Sequence, residues 1–252
     1  MGFWHADILE IRRNCSFRQM KQLLNDNGIV RIEVEWLLDW FCSGARREAS
    51  DQIRALLLDA AEALGASHIK IGDLGNDCAD IPKLTDEFAL LCRQAAERGV
   101  LVLFEMLPRQ FSRAPSLDDV LAICHGAGAN NGGIMLDNLH LQRTATTPQD
   151  IVRKISRGIP LGVEINDGYL ATPVKFQDSV VNKRLLPGDG EFDIAAFLKA
   201  VWSIGYDGPI GVEVLNEYIR KWSLETAAIE SFAKTQRVVM AARQQFLESK
   251  TN

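Results

Sequence analysis

Four carboxylates stand where an α/β protein normally places apolar side chains: Glu105 in Val-Leu-Phe-Glu, Asp137 in Ile-Met-Leu-Asp, Glu164 in Gly-Val-Glu-Ile and Glu213 in Gly-Val-Glu-Val. Each falls near the end of a short β-type run, and the four runs are successive. A buried unpaired carboxylate is costly, so four converging on one end of a parallel sheet must be protonated, paired with cations or coordinated to a metal. One divalent metal ion accounts for all four together. Oxygen donors with no cysteine or histidine among them suit Mg²⁺ or Mn²⁺. Taken singly, each acid is more often a surface residue or the partner of a neighbouring arginine.

Other residues point to the same end of the sheet. Glu33 and Glu35 in Arg-Ile-Glu-Val-Glu are spaced along one run, and one of them is a further candidate to line the mouth. Lys70 in His-Ile-Lys-Ile-Gly-Asp closes another run, where it either binds a substrate oxygen or balances the acids. His140 lies in the loop just beyond Asp137. After Glu164 comes a polar stretch ending in Arg184-Leu-Leu-Pro-Gly-Asp-Gly190, the form expected of a substrate-covering loop. Arg184 either reaches the mouth, caps the next helix or pairs with Asp189.

The elements that position these residues follow from the rhythm of the chain. Strands are expected at Asp7–Ile11, Val30–Glu35, His68–Ile71, Val100–Met106, Gly133–Asp137, Gly162–Asn166 and Ile210–Val214. Between them the period is helical over Phe17–Asn25, Ala49–Leu64, Leu84–Glu97, Leu117–Ala127, Pro148–Ser156, Ile194–Ser203 and Leu224–Leu247. Gly28, Gly65, Gly99 and Gly205 suit left-handed helix ends, and Thr147-Pro148 marks a helix start. Regular β-then-α alternation implies a parallel sheet with helical crossovers, a (β/α) TIM-type barrel occupying residues 1–252 as one domain. Seven strands are countable rather than eight, so the first β/α unit of such a barrel is expected to be lacking. Dimerisation would cover the strand edge left open.

Composition excludes several classes. With 252 residues, 47% of them apolar, the chain is long enough for a packed core, and a formal charge of −5 without a basic cluster argues against nucleic acid. The absence of a long apolar run or leader pattern predicts a cytoplasmic protein with no membrane partner. Cys15, Cys42, Cys78, Cys92 and Cys124 are odd in number, form no C-x-x-C pair and read as reduced thiols.

Phe104-Glu-Met-Leu-Pro108, Leu136-Asp-Asn-Leu-His140 with Arg143, Glu164-Ile-Asn-Asp167-Gly, Arg184-Leu-Leu-Pro-Gly-Asp-Gly190 and Tyr206-Asp-Gly-Pro-Ile-Gly-Val-Glu213-Val occur in an order and spacing with a specific likeness. Over about Gly2 to Ala228 the chain resembles the sugar phosphate isomerase/epimerase-like family of the xylose-isomerase-like barrel superfamily. The resemblance implies one divalent metal, Mg²⁺ or Mn²⁺, held by Glu105, Asp137, Glu164 and Glu213. Glu164 stands where sugar epimerases carry histidine. It also implies Glu105 and Glu213 as catalytic groups that remove and return a proton α to a carbonyl through a metal-stabilised enediolate. His140 and Arg184, with Lys70, are the expected substrate-binding residues.

The substrate so implied is a small sugar, sugar phosphate or polyol, and the activity an isomerase or epimerase. Expulsion of a β-hydroxyl by the same groups gives the alternative, a dehydratase of a keto-polyol such as an inosose or dehydroshikimate. A non-catalytic ligand-binding barrel is the third reading. The superfamily's apurinic-site endonucleases require a histidine-rich trinuclear zinc site and a basic face, which four histidines and a negative charge do not supply.

Overall fold

A computed structural model describes residues 1–74, 79–171 and 174–251; Cys78 lies outside the described residues. Seven parallel strands follow the order of the chain: β1 (Gly2–Trp4), β2 (Glu33–Leu37), β3 (His68–Ile71), β4 (Leu101–Glu105), β5 (Gly132–Asp137), β6 (Leu161–Ile165) and β7 (Ile210–Val212). Ten α-helices accompany them among the described residues, and none is long and apolar enough to cross a membrane. The chain divides into two compact units, residues 1–135 with 158–161, and residues 136–157 with 162–252.

The first unit carries β1 to β4 and most of β5. The expected strand at Asp7–Ile11 is instead helix α1 (His5–Ile11), and the strand of this region is the shorter β1, paired with Glu33–Glu35. Ile8 and Ile11 are three residues apart, a helical spacing, and the Asp7 carboxylate accepts the Trp4 N–H at 3.3 Å where the helix starts. β2 begins at Glu33 rather than Val30, which is exposed.

Helices α2 (Phe17–Asp26), α3 (Gly44–Leu64), α4 (Ile81–Ala96) and α5 (Leu117–Ala127) cover this part of the sheet. Reciprocal capping fixes two of their starts, Ser16 with Gln19 for α2 and Ser116 with Asp119 for α5. Trp40, Phe41, Phe88 and Phe104 form the aromatic centre of the core, with Trp40 edge-on to both Phe41 and Phe104. Trp40 is fully buried and donates its indole N–H to the Gly72 carbonyl, so its role is packing. Gly133 must lack a side chain, since a Cβ there would stand 1.9 Å from the Pro160 carbonyl oxygen. Cys42, Cys92 and Cys124 are buried free thiols, Cys15 is a half-buried one, and burial pushes the Cys92 and Cys124 thiols up to about 12.

Two ion pairs cross from β2 to β3. Glu33 meets His68 Nε2 at 3.1 Å, and Glu35 meets the buried Lys70 Nζ at 2.6 Å. Burial pulls the Glu33 carboxyl upward, but the hydrogen bond and charge of His68, with Lys70 and the amino terminus, outweigh it and hold Glu33 below its ordinary value. A carboxyl that ionises more readily folded than unfolded stabilises fully above its unfolded pKa of about 4.3, and that contribution is lost as pH falls through the folded value. Urea unfolding from about pH 6 down to about pH 3 is therefore expected to show a smaller acid loss in Glu33→Gln than in wild type. Equal slopes would show that Glu33 carries no such linkage.

The second unit contains the end of β5, β6 and β7, paired as Val163↔Ile210, Glu164↔Gly211 and Ile165↔Val212. Its helices are α6 (Asn138–Arg143), α7 (Pro148–Lys154), α8 (Phe176–Val181), α9 (Ile194–Ser203) and α10 (Leu224–Thr251). Thr147 and Asp150 cap α7 around Pro148. α10 packs on α9, with Trp202 and Phe246 ring centroids 5.6 Å apart.

Candidate metal centre

Asp137 is the last residue of β5 and also caps α6, so one carboxylate ends a strand and starts a helix. Its Oδ1 accepts the Leu139 backbone N–H at 2.8 Å and the Asn166 Nδ2–H at 2.9 Å. That division leaves Oδ2 directed to the centre, where the Arg184 Nη1 group donates at 2.8 Å and His140 Nε2 lies 3.8 Å away. α6 is what brings His140 back, since residues three apart share a helix face.

Glu213 follows β7 directly, its N–H continuing the ladder to the Ile165 carbonyl at 3.3 Å. Its Oε2 accepts from the same Arg184 Nη1 at 2.6 Å. Asp137, His140 and Glu213 each offer a ligand atom within 4.8 Å of the others. Asp137 and His140 are buried and Glu213 is about one quarter exposed, 23% for its side chain. Two carboxylates and an imidazole with one solvent-facing member form a donor set that fits a divalent cation.

Arg184 is placed by its backbone. Leu185 exchanges both backbone hydrogen bonds with Asp167 beyond β6, and Arg184 donates its N–H to Leu215 beyond β7. Asn216 donates its side-chain amide to the Arg184 carbonyl at 2.7 Å, and the Arg184 Nε–H is accepted by the Val180 carbonyl at 2.7 Å. The guanidinium is thereby buried, and its ionic partners are Asp137 and Glu213; Asp189 pairs instead with Lys234.

The remaining site expectations fall as follows. Glu164 is buried in β6, with a ligand atom within 4.8 Å of one on Glu213. Glu105 is buried at the last position of β4 in the first unit. Lys70 pairs with Glu35 in that unit.

Two residues carry structural roles that the sequence did not assign. Asn166 holds Asp137 by its amide while its own N–H is accepted by Asn138 Oδ1 at 2.8 Å. Asp167 accepts three backbone N–H groups, from Gly168, Gly188 and Phe192, at 2.8, 2.9 and 3.0 Å. The available signal was the run Asn166-Asp167-Gly168 directly after an acidic strand end, a place where short polar side chains fix loops.

Parallel strands alternating with helices, and acidic side chains at or beside the carboxyl ends of those strands, define a barrel-type α/β protein with a side-chain cluster that could hold a metal ion. Residues 4–238 match the model of the xylose isomerase-like TIM barrel family, and the chain belongs to that family. A 3-dehydroshikimate dehydratase of Pseudomonas aeruginosa is 27% identical over 239 residues, an alignment covering 91% of this chain and 37% of that protein. The chain thus spans about a third of the length of that curated relative. Among solved structures, a xylose isomerase-like TIM barrel/4-hydroxyphenylpyruvate dioxygenase fusion protein superposes with a TM-score of 0.87 at 22% identity, covering 99% of this chain and 40% of the other. The IOLI protein with a bound zinc atom superposes with a TM-score of 0.83 at 17% identity, covering 96% and 88%. At these identities the structural likenesses define the fold.

Proposed function

We propose that the chain is a divalent-metal-dependent enzyme that removes the proton α to the carbonyl of a small polyhydroxylated ketone. The observation that carries this reading is the convergence of Asp137, His140 and Glu213 within 4.8 Å of one another at the ends of β5 and β7. Asp137, His140 and Glu213 would hold the ion, with Glu164 beside Glu213 as a further carboxylate. The metal, when bound, polarises the ketone and stabilises the negative charge that develops when the proton leaves. An imidazole among the donors extends the candidate ions from Mg²⁺ and Mn²⁺ to Co²⁺ and Zn²⁺.

Glu213, the most accessible of the three, is the base proposed to take the α-proton, and Glu105 is proposed as the second catalytic carboxylate. Arg184 binds the oxygen substituents of the substrate, and the segment 183–186 keeps water from that side. Loss of a β-hydroxyl after proton removal makes the reaction a dehydration, and return of the proton makes it an isomerisation or epimerisation. The dehydratase outcome is favoured by the Pseudomonas aeruginosa relative, the epimerase outcome by the resemblance of the strand-end motifs to the sugar phosphate isomerase/epimerase-like family.

The test is incubation of metal-loaded protein with dehydroshikimate, inososes and ketoses in deuterated water. Metal-dependent appearance of the conjugated ketone or its aromatic successor in the ultraviolet identifies a dehydratase, and deuterium at the α-carbon of recovered ketose identifies an epimerase. Neither signal with any of these compounds, from protein shown to hold the ion, would defeat the reading.

A further inference from the structure

We infer that Arg184 is an internal counter-ion of the Asp137–Glu213 carboxylate pair and competes with a divalent ion for the same two oxygens. This rests on the metalloenzyme reading above. A single donor group, Arg184 Nη1, stands 2.8 Å from Asp137 Oδ2 and 2.6 Å from Glu213 Oε2. Those two oxygens belong to the carboxylates that would clasp the ion, and Asp137 has its other oxygen committed to Leu139 and Asn166. A guanidinium at hydrogen-bond distance from both occupies the space between them, and two cations on one carboxylate pair repel.

The tether decides what happens to the displaced group. The Arg184 Nε–H is accepted by Val180 and the backbone is fixed through Leu215 and Asn216, so the side chain is anchored up to Nε. The guanidinium is planar and rigid, so the exchange has to release Nε from Val180 and Nη1 from the Glu213 carbonyl as well, while the backbone bonds through Leu215 and Asn216 keep the displaced cation close to the centre. Paired with Arg184, the buried Asp137 and the partly exposed Glu213 avoid the cost of uncompensated charge, and displacement by an ion gives a cation for an anionic or hydroxylated ligand. One residue therefore couples metal capture to assembly of the substrate subsite.

Calorimetric titration of Mn²⁺ and Zn²⁺ into metal-free wild type and Arg184→Gln tests the exchange. Removing the competing charge is expected to tighten binding at least about tenfold, the scale on which groups around a metal's ligands act, while lowering the melting temperature of the metal-free protein. Equal or weaker binding by a folded Arg184→Gln would overturn the exchange and leave the metal site standing. No binding by either protein would remove the metalloenzyme reading and the exchange with it.

Wild type gives a second measurement that does not depend on the variant's folding. Side-chain ¹⁵N spectra of arginine are expected to show a hindered guanidinium signal that is absent from Arg184→Lys and that is released on adding Zn²⁺ to metal-free wild type. A hindered signal unchanged by saturating Zn²⁺ would mean that the guanidinium stays on its carboxylates, contrary to the exchange.

Discussion

Asp137→Ala is expected to lose about 3–5 kcal/mol of unfolding free energy, the cost of breaking a buried pair by removing one partner. The side chain ends a strand, caps a helix, accepts from Asn166 and neutralises half of a guanidinium that is only 3% exposed. Without it the Leu139 N–H, the Asn166 amide and one side of Arg184 lose their acceptor together, and Glu213 satisfies only the last of these. The same change should weaken divalent-ion binding by more than about a hundredfold, beyond what loss of a ligand's outer partners costs. Urea unfolding and calorimetric titration read the two effects separately. Asp137→Asn keeps an acceptor for Leu139 but presents an amide N–H to Arg184, so most of the stability loss should remain. A variant as stable as wild type would mean that Val180 and Glu213 hold Arg184 without help from Asp137.

Much of the fold was legible because its signals are local. Leu117–Ala127 and Ile194–Ser203 are helices over the very residues their period indicates, and Ser116 and Asp193 each accept a first-turn N–H. Strand β1 was misplaced because three residues are too few to show an alternation, while the neighbouring Asp7–Ile11 is apolar at a spacing that suits both periods. Helix α6 was missed for a related reason. Its six residues directly follow Asp137, and its start is fixed by the same carboxylate that belongs to the candidate cluster.

The centre was legible in part, on different grounds. An acid within an otherwise apolar strand is conspicuous in any sequence, which is how Asp137, Glu164 and Glu213 declare themselves. Which of them share a point in space depends on side-chain direction. Glu164 and Glu213 approach each other across β6 and β7, whereas Asp137 draws its imidazole neighbour from the helix that follows it. The pairing of Arg184 with two strand-end acids across 47 and 29 residues of sequence is a tertiary fact that no local pattern encodes. Asp189, nearer in sequence, was the plausible partner, and α10 supplies Lys234 for it instead.

Asp167→Ala is expected to destabilise the second unit by about 3 kcal/mol or more, because hydrogen bonds to a charged acceptor carry about 1.5–3 kcal/mol each and three are lost at once. Asp167 is 1% exposed, and water cannot readily replace it for the N–H groups of Gly188 and Phe192. The close approach is built on Gly190, where a Cβ would lie 2.4 Å from Asp167 Oδ1 and 2.6 Å from the Gly168 carbonyl oxygen. Gly190→Ala should therefore reproduce the loss by steric displacement, with the carboxylate still present. Metal affinity should respond less than to Asp137→Ala, since the backbone exchange between Asp167 and Leu185 survives both changes and continues to aim Arg184. Urea unfolding paired with Mn²⁺ titration distinguishes these cases: a large stability loss with affinity within about tenfold of wild type assigns Asp167 to the loop rather than to the ion. A stability change within about 0.5 kcal/mol, the range of ordinary surface substitutions, would show that the Pro187–Gly190 turn is held chiefly by the Asp189–Lys234 pair.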